Sequence, residues 1–241
     1  MESWKFISIF VTSCTTLLGV IPVLFILNMS HKHKDILLAF TAGVMVAAST
    51  YSLIPAALKL SNMTVLCIGI LLGAFVLTIL EKFIPHTDLL HTGTVNASAF
   101  LLFITMVLHN VPEGLSVGVS FASHVEDLGP LVAFAIGMQN IPEGFLLALF
   151  LVTQGTGRWK AFVYSTVAAL TEFSAALFGL AFGERIFVVV PYGLAFAAGA
   201  MLFIVYKELI PESHGDGHER PATFSFILGL LVMIVLTGFQ G

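Results

Sequence analysis

Two short stretches of this chain place polar side chains where everything around them is apolar. His109 to Gly114 reads HNVPEG, and Gln139 to Gly144 reads QNIPEG. In each, the first residue and the glutamate stand four apart, so on a helix His109 and Glu113, or Gln139 and Glu143, share one face. Asn110 and Asn140 lie three before their glutamate and stay close to that face. Each stretch therefore offers two or three donors to one point. Pro112 cannot donate to the carbonyl of Leu108, nor Pro142 to that of Met138, so a kink and free carbonyl oxygen are expected beside each cluster. Gly114 and Gly144 allow a second helix to approach closely.

A third acid, Glu172, sits in LTEFSAAL, again inside an apolar run. A charge at the centre of a bilayer costs about 2.5–3.5 kcal/mol on insertion scales. No Lys or Arg lies in the interiors of these three runs. Protons or bound cations remain to balance the carboxylates. Imidazole, carboxylate and amide oxygen, with the thioether of Met45 as a further candidate, suit zinc, iron(II), manganese or cadmium better than sodium or potassium. Glu208, beside Lys207 near a helix end, forms either a local pair or part of an ion pathway. The loop histidines His31, His33, His86, His91, His214 and His218 read as solvated. HKHKD and HGDGHE could weakly gather metal at a mouth.

The elements that must position these groups are membrane spans. Of 241 residues, 58% are hydrophobic and 10% charged, and the mean hydropathy is +1.01; soluble domains carry roughly 25% charged residues. Eight apolar runs reach the roughly 20 residues a spanning helix needs. They lie near 5–27, 36–58, 64–84, 97–122, 129–153, 160–182, 187–210 and 222–240. The breaks, Asn28 to Asp35, Pro85 to Gly93, Ser123 to Asp127, Gly155 to Lys160 and Ser213 to Pro221, are short, so neighbouring helices run antiparallel. The expected fold is all-α, a single bundle of eight transmembrane helices over 1–241. The first run is read as a span rather than a cleaved leader, because it lacks a basic lead and a small-residue cleavage site. Cys14 and Cys67 lie in apolar runs as packing residues. With a net charge of −4 and no basic patch, nucleic acid is not an expected partner.

Lys32, Lys34, Lys82, Arg158, Lys160 and Arg220 follow odd-numbered spans, against Lys5, Lys59 and Arg185 on the other side. The bias places both termini outside. Span two (AFTAGVMVAASTYSLIP, Ala39–Pro55) and span seven (AFAAGAMLFIVYKELIP, Ala195–Pro211) agree at eight of seventeen positions. These spans run in opposite directions, as do the HNVPEG and QNIPEG helices. That is the pattern of an inverted-topology repeat.

HNVPEG, QNIPEG, Glu172 and the KELIPESHGDGHE end of span seven resemble the ZIP (Zrt/Irt-like) metal transporters, most closely their bacterial GufA-like branch, over essentially the whole chain. The resemblance implies eight spans in a 3+2+3 inverted arrangement, a homodimer in the bacterial inner membrane, and an elevator-like motion carrying zinc toward the cytoplasm. Zinc is then transported substrate, and no bound cofactor is implied. By position, one metal site would use Met45, His109, Glu113, Gln139 and Glu143. A second would use Asn110, Glu113, Asn140, Glu143 and Glu172. Ser52 and Glu208 match positions lining the entrance and exit routes. Many relatives carry His at the position of Gln139 and Asp at that of Asn140, and the missing charge bears on the second site. Lys207 stands where a His is common, and the His-rich loop between spans three and four is reduced to His86 and His91. The competing readings are an intramembrane metal-dependent hydrolase, against which the chain lacks HExxH, and a cation channel. A nucleotide-driven pump is not expected, since there is no P-loop.

Overall fold

The structure, a computed structural model, describes residues 3–25, 29–82, 95–215 and 217–238, with backbone alone at 81 and 95–102. The described residues form eight long helices and no strand. They are α1 (Ser3–Val23), α2 (His31–Leu60), α3 (Met63–Glu81), α4 (Val95–Phe121), α5 (Leu128–Thr153), α6 (Arg158–Arg185), α7 (Val189–Ser213) and α8 (Glu219–Gly238). Seven of these, all but α4, are long and apolar enough along their described residues to cross a membrane. α4 has 27 residues, about 40 Å at 1.5 Å per residue. The break expected at Pro85 to Gly93, with His86 and His91, lies outside the described residues.

Short connections hold the helices in sequence. Asn62 caps α3 by accepting from the amide of Val65 at 3.1 Å, a cap worth about 1 kcal/mol. α5 ends on Gly155, whose φ of 80° lets the amide of Thr156 reach the carbonyl of Leu151 at 3.0 Å. One boundary departs from expectation. The break proposed over Asn28 to Asp35 closes early, because His31–Asp35 already belongs to α2. Asp35 is buried and bonded to His218 Nδ1 at 2.8 Å, across 183 residues. That tertiary bond stabilises a basic first turn that the helix dipole alone would disfavour.

The helices pack in four close pairs: α1 with α5, α4 with α6, α2 with α8, and α3 with α7. Glycines allow each approach. A Cβ on Gly144 would stand 2.0 Å from the Thr16 carbonyl oxygen of α1, and one on Gly114 would stand 2.1 Å from that of Glu172 in α6. Gly43 meets the carbonyl of Phe226 and Gly229 that of Phe40; Gly199 meets that of Ile70 and Gly73 that of Phe196. Adding 156 to Phe40, Gly43, Ile70 and Gly73 gives Phe196, Gly199, Phe226 and Gly229. The α2–α8 contact is thus remade, residue for residue, between α7 and α3.

Both α2 and α7 also change winding at one place. Ala48–Leu53 and Val205–Leu209 are π-helical. The Ile54 amide bonds the carbonyl of Ser49, and the Ile210 amide that of Val205, five residues back in each case. Pro55 and Pro211 follow immediately and supply no amide hydrogen, so the backbone there has fewer bonds to lose by widening. In α2 the hydroxyls of Ser49 and Thr50 also bond the carbonyls of Met45 and Val46, at 2.9 and 2.7 Å, competing with the ladder. α4 and α5, by contrast, stay helical through Pro112 and Pro142.

Candidate metal centre

All seven polar residues singled out on α4, α5 and α6 are buried: His109, Asn110, Glu113, Gln139, Asn140, Glu143 and Glu172 are each at most 5% exposed. They face one another. Gln139 Nε2 donates to Glu113 Oε1. Asn140 Nδ2 lies 3.0 and 2.9 Å from the two oxygens of Glu172, and 3.2 Å from the carbonyl of Thr12. Asn110 Nδ2 donates to the carbonyl of Ala168 at 3.0 Å. Glu113 lies within electrostatic reach of both Glu143 and Glu172, and Glu143 within reach of His109.

The amide nitrogens are spent on holding helices together, and acceptor oxygens are left over. Glu113 Oε2, Gln139 Oε1 and Glu143 Oε2 are buried and receive no N–H or hydroxyl donor, while the Glu113 and Glu143 carboxyl groups lie within hydrogen-bond reach of each other. Buried acceptors without donors are uncommon and costly. Three of them together form a donor set for a cation. Among the described residues no three His, Cys, Asp or Glu side chains gather as a cage. An ion held here would therefore rely on amide oxygen as well as carboxylate, a weaker hold than four thiolates give.

The remaining candidates lie at the margins of this cluster. Met45 is buried in α2, one turn before the π segment. Ser52 lies within that segment, buried, and its hydroxyl has no partner. Glu208 lies in the π segment of α7, with its side chain 33% exposed, and its Oε2 sits 3.3 Å from His109 Nε2. The acid for which a local pair was one expectation thus reaches across helices to the first residue of HNVPEG. At the far end of α2, Asp35 and His218 bring the HKHKD and HGDGHE stretches together.

Sequence reading missed α1. Thr12 offers its carbonyl to Asn140, and the Ser13 hydroxyl hydrogen-bonds Glu172. The signal was available, since Thr12–Ser13–Cys14–Thr15–Thr16 is a polar run in an otherwise apolar span.

The chain matches the ZIP zinc transporter family over residues 84–237. It is 36% identical over 233 residues to the zinc transporter GufA of Myxococcus xanthus, covering 91% of this chain and 92% of that one. The chain belongs to the ZIP family. It is also 34% identical over 242 residues to the zinc transporter ZIPB of Bordetella bronchiseptica, covering 92% of this chain and 76% of that one. A human relative, zinc transporter ZIP11, is 39% identical over 142 residues, or 56% of this chain and 42% of its own. ZIP membership accords with a bundle of spanning helices, and the family match contains HNVPEG, QNIPEG and Glu172.

Proposed function

We propose that this ZIP chain carries zinc, or another divalent transition-metal ion, across the bilayer toward the cytoplasm by alternating access. One observation carries the reading: three unpartnered buried oxygens, on Glu113, Gln139 and Glu143, converge from two antiparallel helices with near-identical motifs. Relatives that cover nearly the same length are named zinc transporters. The primary ion takes Glu113, Glu143 and Gln139, with His109 and Met45 completing the set. Asn110, Asn140 and Glu172 are the remaining ligands implied by resemblance. Here Asn140 already covers both oxygens of Glu172, so a single ion is bound.

The eight helices form a 3+2+3 inverted repeat in which α1, α2 and α3 correspond to α6, α7 and α8, and α4 to α5. The duplicated glycine–carbonyl contacts and the paired π segments support this. So do the close pairs, since α1 with α5 maps onto α6 with α4, and α2 with α8 onto α7 with α3. Sliding of α1, α4, α5 and α6 against the other four moves the ion, with Ser52 and Glu208 lining the two routes. The chain works as a homodimer in the bacterial inner membrane with both termini outside, as the resemblance and the Lys/Arg bias imply.

Zinc uptake by proteoliposomes tests the function. Saturable uptake lost in Glu143→Ala supports it; full uptake by that variant refutes it. An ohmic zinc current would replace the carrier with a channel, and hydrolysis without flux would replace it with an enzyme.

A further inference from the structure

The two repeats make a statement about pairs. Glu208 and Ser52 are both the fourteenth residue of the repeated α7 and α2 stretches, and both lie in π segments. His109 and Gln139 are both the first residue of the paired motifs. Of the two equivalent couples, one is joined and the other is not. His109 Nε2 meets Glu208 Oε2 at 3.3 Å, whereas Ser52 Oγ and Gln139 Oε1 are both buried without a partner.

The packing around the two couples differs as well. α5 lies against both the body of α2 and its π segment, whereas α4 lies chiefly on the body of α7. Two halves of like fold, held in unlike relations, describe one of two states that an inverted repeat can exchange. In the exchanged state α5 takes toward α2 the relation that α4 now has toward α7.

We infer that Ser52 and Gln139 form a second latch, made when the His109–Glu208 latch breaks. The Ser52 hydroxyl donates to Gln139 Oε1, so one bond satisfies both groups that are unpartnered now. Each latch draws the leading residue of one motif away from the ion: His109 toward Glu208 in this state, Gln139 toward Ser52 in the other. A ligand is thereby withdrawn on alternate sides, which loosens the ion where it must leave. Ser52 is a positioning residue that acts through Gln139.

This rests on the transport reading, and cross-linking separates the two. The test variant is Ser52→Cys with Gln139→Cys, in a chain carrying Cys14→Ser and Cys67→Ser, oxidised in proteoliposomes. A cross-link is expected. It should increase about fivefold when Glu208→Ala is added, because losing one bond of about 1 kcal/mol shifts a two-state balance by that factor. No cross-link in either background, or the same extent in both, overturns the latch. If the double-cysteine chain does not fold, Ser52→Ala decides. Its uptake should be several-fold slower than that of the unaltered chain, with zinc stoichiometry unchanged, and Ser52→Thr should restore the rate. Equal rates for Ser52→Ala and the unaltered chain overturn the latch. Absence of zinc uptake by the unaltered chain overturns the transport reading instead.

Discussion

Replacing Asn140 by Asp changes one atom's identity and reverses a local interaction. Asn140 Nδ2 now donates to both oxygens of Glu172, at 3.0 and 2.9 Å. In Asn140→Asp those bonds vanish and two carboxylates face each other across the same gap. A hydrogen bond to a charged acceptor contributes about 1.5–3 kcal/mol. Two unit charges some 4 Å apart repel by about 4 kcal/mol at an effective dielectric constant near 20. A proton shared between the acids removes most of the second figure, so the metal-free variant should lose about 3 kcal/mol. The same change gives a second cation two carboxylates in place of one carboxylate and an amide. Melting in detergent, with and without zinc, and metal content after equilibrium dialysis read both effects. Metal-free Asn140→Asp should melt well below the unaltered chain. Saturating zinc should close that gap while raising content from one ion per chain to two. Unchanged melting without metal, together with a content of one, would refute the view that the Asn140 amide occupies the place of a second ion.

Glu143→Ala removes one of the three unpartnered oxygens and should bring zinc uptake to background, with the protein still monodisperse in size-exclusion chromatography. His109→Ala leaves α4 its carboxylate but removes the imidazole and the partner of Glu208. Competition uptake should show weaker zinc preference over manganese, with affinity reduced by at least the 10–100-fold that lost outer-shell partners cost. Gly114→Ala would put a Cβ 2.1 Å from the Glu172 carbonyl oxygen. It should destabilise by about 1–3 kcal/mol and slow uptake. Gly157→Ala, where a Cβ meets nothing within 4 Å, should leave melting and uptake as they were.

The eight helices, seven of them apolar enough along their described residues to span, and the burial of the seven centre residues were legible because both follow from local pattern. Apolar length marks a span, and a carboxylate with no basic neighbour inside one must turn inward. What could not be read is the direction of each amide. Asn110 and Asn140 looked equivalent, yet one donates to the backbone of Ala168 and the other to Glu172 and Thr12. That choice depends on which helix lies opposite. The early start of α2 was hidden for the same reason, since Asp35 depends on His218 from the far end of the chain. The π segments before Pro55 and Pro211 were not anticipated, since kinks were expected at Pro112 and Pro142. Nothing local said that the winding would change in the turn before Pro55 and Pro211 and stay α-helical through Pro112 and Pro142.

Scaffold and chemistry repeat to different extents along this chain. The glycine–carbonyl contacts repeat at an interval of 156 residues, but at that interval Glu172 corresponds to Thr16, and Glu208 to Ser52. Thr16 and Glu172 offer the equivalent carbonyls to Gly144 and Gly114, so the backbone kept one role while a side chain acquired another. The third carboxylate therefore has no twin. A dication balances two carboxylates, and Glu113 and Glu143, the pair contributed by both motifs, are the two with unpartnered oxygen. Glu172 is answered from within the protein, by the Asn140 amide and the Ser13 hydroxyl. One bound dication and one fixed set of donors suffice for three acids, and the single ion proposed for this ZIP chain follows from that balance.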